Sequence, residues 1–126
     1  MARRHVLNFA ADFAPLVAAG EKRQTIRRWR VRPIFVGDEL RLYTGMRTTS
    51  CRLLGVARCE GVDGITLARA GTSYSPAQWK AQDDFARADG FASYEGMLRW
   101  FERTHGLPFS GQLIRWGDLL EPGTAS

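Results

Sequence analysis

The sequence predicts a small α+β domain, built on a curved, mostly antiparallel sheet whose strands are split by an inserted pair of helices. Three observations lead to that class. Strand-like stretches lie in the middle of the chain, at Glu39–Tyr43 and Cys51–Cys59, and again near its end, at Phe109–Trp116. Two stretches with helix-start signals, 75–88 and 94–105, fall between them. No βαβ repeat and no Gly-rich phosphate loop is present.

Taken in order, Phe9, Phe13, Leu16 and Val17 fall on one helical face, and Gly20 is placed to stop a short helix of about two turns. Pro15 has to sit in its first turn. A polar, basic stretch follows. Val36-Gly37-Asp38 reads as a turn, after which Leu40 and Leu42 alternate onto one face. Cys51–Cys59 is extended, Gly61–Gly64 reads as a break, and Ile65–Leu67 as a further short strand. Ser75-Pro76-Ala77-Gln78 is a capped helix start. Asp89-Gly90 ends that helix. Ser93 caps the next, with Glu95 in its first turn and Met97, Leu98 and Phe101 on its buried face. Trp79, Trp100 and Phe101 read as packing residues on these helices, and His5 and His105 as isolated. The expected layout is one domain over 1–126, with a core at about 6–117 and a flexible tail at 118–126.

At 126 residues, with 44% apolar content, the chain suits a single core. No apolar run reaches the roughly 18 residues of a membrane span, and the N-terminus shows no signal peptide. Cys51 and Cys59 would lie roughly 26 Å apart in one strand, too far to bond. No cysteine or histidine spacing makes a metal site. A reducing cytoplasm is the expected compartment. Charge is unevenly placed. Residues 1–32 carry eight Lys/Arg against two Asp/Glu, while the remainder carries ten against eleven. That basic quarter points to an anionic partner, RNA among them.

The stretch GEKRQTIRRWR, Gly20–Arg30, holds one of only two lysines in a chain with sixteen arginines. Lysine can give up its proton at a tolerable cost and arginine cannot. Gly20-Glu21-Lys22-Arg23-Gln24-Thr25-Ile26-Arg27 resembles the GxKxxTxR signature of ASCH domains, in the PUA-like superfamily. Val36-Gly37-Asp38, Asp89-Gly90-Phe91-Ala92-Ser93 and Leu113-Ile114-Arg115-Trp116 resemble later landmarks of that family in the same order. The resemblance covers about residues 6–117. It implies a PUA-like fold, a small β-barrel or strongly bent sheet with flanking helices. Within the family the arrangement is most similar to bacterial N(4)-acetylcytidine amidohydrolases. It then implies Lys22 and Thr25 as catalytic residues, with Asp89 where those enzymes have a glutamate, and no metal or other cofactor. The implied substrate is an acylated pyrimidine nucleoside or base.

The chemistry fits the residue types. Amide hydrolysis needs a nucleophile, a base and an acid. Thr25 offers a hydroxyl, Lys22 a base if its ordinary pKa of about 10.4 falls to near neutrality, and Asp89 an acid. Arg23, Arg27 and Arg28 supply like charge in that direction. In a regular strand, residues 22 and 25 point to opposite faces, so the shared site requires a helical turn, a loop or a bulge here. Arg27 is a candidate for an ion pair or for holding the substrate carbonyl. Trp29, Tyr43 and Phe91 are candidates for stacking a pyrimidine, worth roughly 1–3 kcal/mol. Two other functions stay open: an RNA-binding module without catalysis, and a ribonuclease. No serine triad is supported, since neither Ser73 nor Ser110 has a visible histidine partner.

Overall fold

In the computed structural model, residues 2–69, 71–72 and 82–123 are described. The elements run β1 (Arg4–Phe9), α1 (Ala14–Ala18), β2 (Gln24–Arg27), β3 (Glu39–Thr44), β4 (Arg52–Ala68), β5 (Gly71–Thr72), α2 (Gln82–Ala88), α3 (Tyr94–Thr104), β6 (Phe109–Trp116) and β7 (Glu121–Pro122). The sheet order is β1-β3-β4-β6-β2, with β5 and β7 also paired to β4. Among the described residues, only the β1–β3 pair is parallel. The α+β class and the bent, mostly antiparallel sheet stand. Among the described residues no ladder joins β1 to β2, so the sheet is open. Side chains span that gap instead. Arg27 Nη2 donates to the Asn8 carbonyl at 2.6 Å, and Arg30 Nη2 to that of Val6 at 3.4 Å.

β4 bends the sheet. Its first half pairs with β3 and β7, its second half with β5 and β6, and the register slips between Cys59 and Gly61. A core cluster sits against each half. One joins Leu7, Phe9, Val17, Leu40, Leu42 and Trp116. The other joins Ile26, Leu67, Phe85, Met97, Phe101 and Leu113. The expected break at Gly61–Gly64 is therefore wrong, because Gly61 sits at a bulge and Gly64 pairs in register with Gln112, both inside one 17-residue strand. A Cβ at Gly61 would run into the Arg115 guanidinium, so glycine here makes room rather than ending the strand.

The N-terminal helix is also corrected. Phe9 ends a strand, not a helix, and α1 has only five residues. His5, Leu7 and Phe9 alternate inward along β1. His5 is buried against Asp38, at 2.8 Å between Nε2 and Oδ2. Asp38 also accepts from the backbone N–H of Arg3 and of Phe35, both at 3.0 Å, which pins the 36–38 turn to the start of β1. β3 and β6 match their expected spans within one residue, and Ser93 caps α3 through Gly96 N at 3.1 Å. The expected helix start at 75–78, Trp79 and Ser73 lie outside the described residues. Within the expected tail, Glu121 and Pro122 form β7 and register against Val56 and Gly55. Cys51 is exposed and Cys59 buried, both free. Among the described residues, no helix is long and apolar enough to cross a membrane.

Candidate active site

After α1 the backbone N–H groups of Glu21 and Lys22 both donate to the Leu16 carbonyl, at 2.9 and 3.0 Å. That turn aims the Lys22 side chain inward, while Glu21 stays exposed. Lys22 precedes β2, so strand alternation does not separate it from Thr25, and both line one cavity of about 200 Å³. Asp89 reaches the same cavity from the turn between α2 and α3, which stands opposite. Lys22, Thr25 and Asp89 are each at most 5% exposed.

The lysine and aspartate form a buried pair. Lys22 Nζ lies 3.5 Å from Asp89 Oδ2 and donates to the Asp89 backbone carbonyl as well. Gln24 Nε2 donates to Asp89 Oδ1 at 3.3 Å. Burial pushes the Lys22 ammonium below its ordinary value, against the pull of Asp89 and with help from Arg27. Burial likewise pushes the Asp89 carboxyl up, although Lys22, Gln24 and Arg27 oppose it. Each charge loses its water, and both shifts favour the neutral forms, amine and carboxylic acid. The shorter side chain of aspartate still reaches Lys22, because the turn carries its backbone to the lysine.

Arg27 Nε donates to Thr25 Oγ1 at 3.0 Å. Guanidinium has no acceptor, so the threonine oxygen must receive that bond and its own hydrogen stays free for a base. Burial lowers the Arg27 pKa to about 10, which leaves it charged at neutral pH. Its Cζ lies 4.7 Å from the Phe9 ring centroid, and Lys22 Nζ lies 5.0 Å from that of Phe13.

Among the stacking candidates, Phe91 lines the cavity, edge-on to Phe13 at 5.2 Å. Trp29 and Tyr43 do not line it. Trp29 is 61% exposed beyond the end of β2, and Tyr43 lies half-buried beside Arg41, on the face of β3 opposite Leu42. Arg23 also turns away, to Asp118 at 2.7 Å. Sequence reading missed Asn8, Phe9, Phe13, Arg28 as wall, Trp100 and His105. Only Phe9 and Phe13 carried a signal, as apolar residues just before the motif.

This architecture is the fold of ASCH proteins. ASCH from Zymomonas mobilis is similar over 94% of this chain and 69% of that chain, with a TM-score of 0.58 and 13% sequence identity. A serine-to-alanine variant of the same protein gives 0.57 over 94% and 70%, also at 13% identity. At that identity the likeness is one of fold. No protein-family model matches the sequence. No curated protein matches it.

Proposed function

We propose that the chain is an ASCH-family amidohydrolase that removes an acyl group from the exocyclic N(4) of acylated cytidine or cytosine. The observation that carries this reading is the burial of Lys22, Thr25 and Asp89 around one cavity, with the lysine and aspartate driven toward their neutral forms. Thr25 Oγ1 attacks the acyl carbon and gives its proton to the Lys22 amine. Asp89 protonates the leaving nitrogen. Lys22 and Asp89 thereby become an ion pair in a water-poor site, where their attraction is strong. Arg27, already aimed at Thr25, donates to the oxyanion. In the second half, water attacks the acyl-threonine, Asp89 takes its proton, and Lys22 returns one to Thr25. Cytidine and a carboxylic acid leave, and the enzyme is restored. Phe91 and Phe13 offer apolar walls for the pyrimidine.

The test is to mix the protein with N(4)-acetylcytidine and follow the absorbance change as cytidine forms. Turnover is expected, and Lys22→Ala and Thr25→Ala should each lose at least about 10²–10⁴-fold, the range of a lost general base or nucleophile. Wild-type rates in both variants would end the assignment. Asp89→Glu should keep activity, since the carboxyl is retained. The competing ribonuclease reading draws on the cationic wall of Arg27 and Arg28. Cleavage of RNA by the wild type, with no release of cytidine from the acylated nucleoside, would favour it.

A further inference from the structure

Building on that reading, we propose that Arg28 and His105 form an anion subsite at the cavity mouth, so that the preferred substrate carries a phosphate on its sugar. The cavity grades from a buried floor to an exposed rim. Lys22, Thr25 and Asp89 make the floor, while Arg28 and His105 line the same cavity and are exposed. The two rim groups share a platform. Arg28 Cζ lies 5.3 Å from the Phe109 ring centroid, and the His105 ring lies 5.1 Å from the same ring. The Trp100 and Phe101 rings also contact the imidazole, with centroids at 5.8 and 5.7 Å. Aromatic packing thus orients both groups without using their hydrogen-bonding capacity on carboxylates.

Charge balance points the same way. Lys22, Arg27, Arg28 and His105 line the cavity, and Asp89 is the one carboxylate facing them among the described residues. Asp89 sits at the floor and is engaged by Lys22 and Gln24. Arg23, Arg69 and Arg115 each pair with a carboxylate, but among the described residues none pairs with the Arg28 guanidinium. Burial, and after it the Arg28 and Arg27 guanidinium groups, hold His105 below its ordinary value. A phosphate between the two would accept from a guanidinium fork and from the imidazole. A base whose acyl group lies at Thr25 directs its sugar toward this rim. The phosphate has two sources, a free nucleotide or an RNA chain.

The test reads product binding to the full chain and so needs no turnover. Cytidine, cytidine 5′-monophosphate and a short single-stranded oligoribonucleotide containing cytidine are titrated by calorimetry, with the His105 ring followed by NMR. The monophosphate should bind at least about tenfold more tightly than cytidine at low salt and shift the His105 signals. Arg28→Gln should remove that advantage, and His105→Gln should reduce it. Still tighter binding of the oligonucleotide assigns the phosphate to an RNA chain; weaker binding assigns it to a free nucleotide. Equal or undetectable binding of cytidine and its monophosphate overturns the inference, as does an advantage that survives Arg28→Gln. Failure of the hydrolysis assay alone sinks the amide chemistry and leaves this subsite standing.

Discussion

Among the described residues, two carboxylates are buried against a nitrogen base, and the two pairings behave in opposite ways. At one end of β1, Asp38 meets His5 at 2.8 Å and accepts two backbone N–H bonds, which hold its pKa at about 2. In the cavity, Asp89 meets Lys22 at 3.5 Å, and burial pushes it upward instead. Both carboxylates are almost inaccessible to solvent. The difference lies in the donors. Fixed peptide N–H groups replace the water that Asp38 lost and favour its charge. Asp89 receives a side-chain amide and a lysine that is itself reluctant to stay charged. The first arrangement makes a structural clasp, the second a pair able to exchange protons.

The sharpest way to break this contrast is at Lys22. Lys22→Met should abolish turnover, and the double variant Lys22→Met/Asp89→Leu should leave the thermal midpoint unchanged or raised, since a whole buried ionisable pair is exchanged for apolar groups. A scanning-calorimetry midpoint that falls by many degrees in the double variant would make this pair a clasp as well. Asp38→Ala should do the reverse, with a loss of about 2 kcal/mol in urea unfolding near neutral pH, taking the shift from 3.8 to about 2 at roughly 1.4 kcal/mol per pKa unit. Turnover per folded molecule should be retained.

Opposite pH slopes sharpen it further. Asp38 is depressed, so its stabilisation is present above about pH 4 and is lost as pH falls toward 2. Asp89 is raised, so the folded state holds its proton more tightly, and stability falls as pH climbs from about 4 through its folded value. Lys22 is lowered, so stability rises as pH climbs from its folded value toward about 10.5. Denaturant titrations of Asp38→Asn and Asp89→Asn at several pH values should remove limbs of opposite sign. Slopes of the same sign in both would refute the comparison.

A smaller effect is expected at Gly90, in the turn that carries Asp89. Its φ is +93°, and a Cβ there would meet Phe13 Cδ1 at 2.9 Å and Lys22 Cδ at 3.1 Å. Gly90→Ala should cost about 1–2 kcal/mol through the left-handed backbone and lower kcat by displacing the lysine. Trp29→Ala should be smallest of all, within about 0.5 kcal/mol in stability, because the ring lies outside the cavity on the surface.

Much of the fold was legible because alternation and caps are local. Leu40 and Leu42 marked β3, and Ser93 marked α3, from neighbours in sequence alone. β1 was missed for a physical reason. Its inward row is His5, Leu7, Phe9, and a buried histidine breaks the apolar alternation that flags a strand, while Phe9 happens to fall in phase with Phe13 and Val17. Only the distant Asp38 makes that histidine tolerable inside. In the site, the motif residues were legible as chemistry, since a lone lysine among arginines stands out. The cavity walls were not. Trp100 and His105 reach it from around the end of α3, and Trp29 leaves it, through tertiary packing that spacing does not encode.

One strand, β4, serves as backbone to both hydrophobic clusters. Phe9 enters the cavity from the first cluster and Phe91 from the second, so the cavity straddles their boundary. Neither half is a self-sufficient module. A cut within Arg52–Ala68 would leave each fragment with a naked sheet edge and half a chamber. Amide protons along this spine should exchange together with those of β3 and β6, in a single all-or-none opening that empties the chamber as it melts the protein.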